Sequence, residues 1–164
     1  MKKIAVLLAL LLLAGCQKEE KRTEADFDMF VFSFATDAAN FSIKFTPGDS
    51  IYMKTSSVDY FYSVLTEEKR DSALALVKEI NFSQYDAVYK DSVAAGSILK
   101  FYRTKNDTVN HILIQGNNGP KELYQTANKI IELQKEQRWT PVIGKQDFGN
   151  LDYIELPKPL NPVN

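Results

Sequence analysis

Phe41-Ser42-Ile43-Lys44-Phe45-Thr46-Pro47-Gly48-Asp49-Ser50-Ile51-Tyr52-Met53-Lys54 is the stretch on which the fold turns. From Phe41 to Phe45 apolar and polar residues alternate without a break. That period of two marks a strand with one buried face. Pro47-Gly48-Asp49 is turn chemistry, and Ile51 to Lys54 resume the strand pattern, so the stretch reads as a β-hairpin. Upstream, Phe27 to Phe34 places Phe30, Phe32 and Phe34 on one side and Met29 and Val31 on the other. Apolar residues on both sides predict a strand enclosed by its neighbours. Thr36 to Asn40 break it. Downstream, Tyr60, Tyr62 and Val64 alternate with Phe61, Ser63 and Leu65, a further strand over Asp59 to Leu65.

Thr66 then suits a helix N-cap, and Glu67 and Glu68 lie in the first turn, where the helix dipole favours acids. Ala73, Leu74, Leu76, Val77 and Ile80 form an apolar stripe at helical spacing, with Arg70, Asp71, Lys78 and Glu79 assigned to the opposite side. An amphipathic helix over about Glu67 to Ile80 follows. Phe82 to Gly96 reads as an irregular connection anchored by Tyr85 and Tyr89. The strand pattern returns at Ile98 to Tyr102, turns at Lys105-Asn106-Asp107 and runs from Val109 to Gln115. Gly116-Asn117-Asn118-Gly119 ends this hairpin, and Pro120 suits the first position of a second helix. Its stripe is Leu123, Ala127, Ile130 and Ile131.

Each half therefore reads as hairpin, then helix. The predicted fold class is α+β: an antiparallel sheet with two amphipathic helices on one face and the far face open to water or a partner. Trp139, Pro141 and Val142 are expected to fold back on the sheet, and Gly149 to Leu156 to add a last strand. The segment 157–164 is proline-rich and extended.

The chain has 164 residues, with eight Tyr, ten Phe and one Trp, enough bulk for a real core. Its first residues set its destination. Lys2 and Lys3 open the chain, Ile4 to Ala14 is unbroken apolar sequence, and Leu13-Ala14-Gly15-Cys16 closes it. This apolar core is too short to span a bilayer and fits a secretory signal. The closing four residues resemble the lipobox of bacterial lipoproteins. That resemblance implies a lipid on the sulfur of Cys16 and removal of residues 1–15.

Losing Lys2 and Lys3 leaves 18 basic against 21 acidic side chains, a charge of −3, where a nucleic-acid surface needs a basic excess. Cys16 is the only cysteine, so a disulfide or a cysteine-based metal site is excluded. The expected organisation is a signal peptide over 1–15, a lipidated tether over 16–26, one domain over 27–156 and a tail over 157–164. Gln17 to Glu24 contains no apolar residue and reads as a solvated linker. Gln17-Lys18-Glu19-Glu20 resembles the signal that sends some lipoproteins to the cell surface. Together these resemblances imply an outer-membrane lipoprotein of a Gram-negative bacterium, facing outward or, failing that, the periplasm.

Asp-Ser/Thr-apolar occurs four times, at Ser50, Ser72, Ser92 and Thr108. The triplet resembles the O-glycosylation site of exported proteins in bacteria that use that surface signal, although two copies are also polar turns entering strands. His111 is the only histidine and lies in a strand pattern, expected to point outward. No signature marks a nucleophile or an orienting acid beside it. No metal or cofactor is implied: one histidine cannot build a zinc site, Asp147, Asp152 and Glu155 lack EF-hand spacing, and no Gly-Lys-Ser/Thr follows Gly116 to Gly119. Tyr52, Tyr60, Tyr62, Tyr102 and Trp139 are candidate binding residues, since tyrosine tolerates a half-exposed position. The sequence thus reads as a non-enzymatic envelope binding module for a protein or glycan partner, anchored by its lipid. An immunity or inhibitor lipoprotein and an envelope hydrolase are the alternatives.

Overall fold

A computed structural model describes residues 23–55, 59–91 and 96–151. The signal, Cys16 and the export-like residues Gln17 to Glu20 lie outside them, as do Ser92 and the segment 152–164. The elements run β1 (Met29–Ala35), β2 (Asn40–Phe45), β3 (Ser50–Thr55), β4 (Tyr60–Val64), α1 (Glu67–Glu79), β5 (Val88–Lys90), β6 (Ile98–Lys105), β7 (Thr108–Gln115), α2 (Lys121–Lys135) and β8 (Thr140–Val142). The fold is α+β, with one eight-stranded sheet ordered β5-β7-β6-β1-β2-β3-β4-β8. Every pairing is antiparallel except β5 with β7.

Local chemistry sets the boundaries. Asn106 and Asp107 both take positive φ, 47° and 62°, which matches the twist of a two-residue hairpin between β6 and β7. The Thr66 hydroxyl accepts from the Lys69 amide at 3.4 Å and caps α1. Pro120 sits one position earlier than expected, as the N-cap of α2. β1 pairs with both β2 and β6, and each of its faces meets a cluster, Phe30 and Phe32 in one and Val31 in the other; all three are fully buried, which accounts for apolar residues on both of its sides.

One large cluster joins Phe30, Phe32, Ile43, Phe45, Phe101 and Ile112 of the strands with Ala73, Leu74 and Val77 of α1 and Leu123, Ala127 and Ile130 of α2. A smaller cluster holds Val31, Tyr102 and Phe148, with Met29, Tyr52, Tyr60 and Leu151 packed against it. Strand alternation separates the two: Val31 and Tyr102 face away from their neighbours Phe32 and Phe101.

Four expectations change. Arg70 is not on the outer side of α1 but 4 % exposed, because buried apolar positions at 73, 74 and 77 put position 70 on the same stripe. Its charge is met by Asp49 at 3.3 Å, Asp71 at 2.9 Å and the Thr23 carbonyl at 2.7 Å. Phe82 to Gly96 contains a 3₁₀ turn (Phe82–Gln84) and the short strand β5 rather than irregular chain alone. Of the strand expected over Gly149 to Leu156, Gly149 to Leu151 are not in a strand and 152–156 lie outside the described residues; the last described strand is β8, formed by the Pro141 region at the β4 edge. Proline suits that edge because it leaves no donor unpaired in a ladder. The far face, expected open, is partly covered: after β8 the chain returns across the sheet and lays Phe148 and Leu151 on it.

The first described residues are held to the body. Phe27 is 5 % exposed and stacks near Phe30, Asp26 pairs with Lys105, and the Asp28 carboxylate accepts from the Asn106 amide at 2.7 Å. The Lys105 hydrogen bond holds the Asp26 carboxyl below the usual carboxylate range.

Candidate functional site

Four of the candidate tyrosines lie on the strand face of the smaller cluster. Tyr52 and Tyr62 are direct cross-strand partners, Tyr60 pairs with Lys54, and Tyr52 pairs with Lys44. Their exposure differs. Tyr62 is 39 % exposed, Tyr52 and Tyr60 are half-buried, and Tyr102 is buried. Trp139 stands apart: it packs against the large cluster, and its indole N–H donates to the Gln134 carbonyl at 3.1 Å at the end of α2. The surface these residues form thus centres on Tyr52, Tyr60 and Tyr62, with Lys44 and Lys54 between them.

The return segment Lys145 to Leu151, a strap across this face, was not legible as a site. Phe148 is 5 % exposed although Asp147 and Asn150 beside it are exposed. Its ring lies 6.1 Å from that of Tyr60. The Lys44 ammonium sits 4.5 Å from the centre of the Tyr52 ring and 5.5 Å from that of Phe148, a cation–π arrangement. Burial pushes the Lys44 pKa below the usual lysine range, and the Asp147 carboxylate opposes that shift.

Beyond Phe148, Gly149 passes over Tyr102 so closely that a Cβ there would lie 2.6 Å from the ring, and its φ of 68° is one that L side chains rarely adopt. The Lys100 ammonium then donates to the Leu151 carbonyl at 2.9 Å. A sequence signal was present: between Ile143 and Leu151, Phe148 is the one large apolar residue in a polar run, followed directly by glycine.

Beside Asn150 and Leu151, the last described residues, there is a cavity of about 280 Å³ lined also by Lys100, Phe101, Tyr102, Val109 and His111. His111 is half-buried on this wall, its Cα opposite Tyr102. The described lining residues include no serine and no carboxylate, and among the described residues no group of three His, Cys, Asp or Glu side chains gathers.

The three described glycosylation candidates stand at separate places. Ser50 is half-buried at the start of β3, its carbonyl accepting from the Thr46 hydroxyl at 2.7 Å. Ser72 is exposed on α1 beside a shallow groove shared with Asn128 and Leu133 of α2. Thr108 is exposed directly after the tight β6–β7 turn. Comparison with protein-family models, curated proteins and solved structures finds no match for this chain.

Proposed function

We propose that this chain is a lipid-anchored outer-membrane protein, held through Cys16 and displayed at the cell surface, whose domain is a non-enzymatic binding module for a protein or glycan partner. In this reading the two helices occupy one side of the sheet, each after its hairpin, and the partner docks on the other. The observation that carries the binding reading is the grouping of Tyr52, Tyr60 and Tyr62 with Lys44 and Lys54 on adjacent strands. Tyrosine offers an apolar ring with a polar tip at low entropic cost, which suits an interface exposed to water when empty.

The anchor and the surface are tested together. Protease added to whole cells is expected to release the domain, with lysed cells as the control for total protein. Protection of the domain in intact cells would sink surface display. A photo-crosslinking amino acid at Tyr62 is expected to capture an envelope partner, whereas the same group at Glu79 on α1 does not. Equal capture from both positions would sink the binding surface. Among the glycosylation candidates, Thr108 has the exposure and the turn that a modifying enzyme needs, so the mature chain is expected to lose a glycan mass on Thr108→Ala.

A further inference from the structure

The strap shows what this face accepts. Phe148 inserts one ring into the sheet surface from a segment whose neighbours Asp147 and Asn150 stay in water. Phe148 and, three residues on, Leu151 are the apolar side chains the described strap lays on this face, as the spaced anchors of a docked extended peptide would be. The receiving site is specific in two respects. Val31, Tyr60 and Tyr102 form an apolar seat for the ring, while the Lys44 ammonium, 4.5 Å from the centre of the Tyr52 ring and 5.5 Å from that of Phe148, places a positive charge next to the residue that follows Asp147. An acid followed by an aromatic residue matches both.

The strap is also jointed. Gly144 has a φ of 100° with no atom within 4 Å of where its Cβ would stand, and Gly149 has a φ of 68°. Two positive-φ glycines thus bracket the segment that carries Phe148. Its own hydrogen bonds are local: the Gly149 amide donates to the Asp147 carboxylate at 2.7 Å and the Leu151 amide to the Gly149 carbonyl at 3.2 Å. These two bonds travel with the strap when it lifts, whereas the bond from the Lys100 ammonium on β6 to the Leu151 carbonyl must break.

We infer that the seat formed by Val31, Lys44, Tyr52, Tyr60 and Tyr102 is a docking socket for a partner protein segment in which an acidic residue precedes an aromatic one. Asp147-Phe148 is its resident occupant, which the partner displaces. The inference rests on the binding-module reading and names both the class of partner and the contact that keeps the site closed without it. A self-filled socket lowers the apparent affinity for any competitor by the fraction of molecules with the strap in place.

The test uses the purified full chain and a fluorescent peptide with the sequence Lys145 to Leu151. The Phe148→Ala chain, its socket emptied, is expected to bind the peptide at least about tenfold more tightly than the unaltered chain. Adding Lys44→Ala to Phe148→Ala is expected to weaken binding about fivefold, and a peptide with alanine in place of its phenylalanine should not bind. Gly149→Ala, which lifts the strap by its clash with Tyr102, serves as a second opened chain should Phe148→Ala fold poorly. Equal affinity for the closed and opened chains, or no binding to either opened chain while its circular dichroism is unchanged, would overturn the socket. That failure is distinct from failure of the binding module, because crosslinking at Tyr62 would still report a partner on the uncovered part of the face.

Discussion

The two faces of the sheet are covered by different means and to different extents. On one, α1 and α2 press Leu74, Val77, Leu123 and Ile130 onto Phe30, Phe32 and Phe101, and the cluster has many interlocking members. On the other, a single segment lays one phenylalanine and one leucine over Val31 and Tyr102, with a lysine stem and two tyrosines at the margin. The helical cover is redundant, so losing one side chain leaves many contacts. Among the described residues the strap is held by Phe148, by Leu151 and by the Lys100 bond to the Leu151 carbonyl. A face closed by so few contacts opens at low free-energy cost, and elements that move in binding are drawn from such regions. On the binding reading proposed above, the more lightly packed side of this molecule is the one that meets the partner.

Substitutions sharpen this contrast. The largest loss is expected from Phe101→Ala, which empties a fully buried ring site packed 5.3 Å from Phe32 and should cost about 3–5 kcal/mol of unfolding free energy in urea. Phe148→Ala deletes the same atoms on the other face. There the strap can move and water can enter, so about 2 kcal/mol or less is expected. Equal costs for the two phenylalanines would break the contrast. Gly149→Ala should cost about 1–2 kcal/mol from the left-handed backbone and relieve its clash by lifting the strap. It should leave the near-ultraviolet signal of the helix-side core unchanged. Tyr62→Ala, at an exposed site, is expected to change stability by no more than about 0.5 kcal/mol while weakening partner capture by a crosslinker placed at Lys54.

Much of the frame was readable from residue order, for reasons these faces make plain. Hairpins and helices announce themselves through local periodicity and turn residues, and Thr66, Pro47-Gly48-Asp49 and Asn106-Asp107 all act within a few positions of themselves. What was hidden depends on partners far along the chain. Arg70 reads as a surface cation until Asp49 and the Thr23 carbonyl, distant in sequence, are brought to it. Its spacing to Ala73, Leu74 and Val77 was the one local sign of burial. Phe148 reads as a lone apolar residue in a polar run, and only the return of the chain across the sheet gives it a seat. Of the five aromatic candidates, Tyr102 and Trp139 were separable from Tyr52, Tyr60 and Tyr62 only once their cover was known, since strand alternation assigns a face but not what lies on it.

The most direct test of unequal sealing is thiol labelling of two single variants of the full chain, Val31→Cys beneath the strap and Ala127→Cys on the buried side of α2, with peptide mapping to separate each from Cys16. Both positions are no more than 1 % exposed. If the strap opens on its own, the thiol at position 31 labels at a rate nearly independent of urea, while that at 127 labels only through the steeply urea-dependent global unfolding. Labelling of both thiols through the same steep dependence would mean that the two faces open together, and would contradict the account.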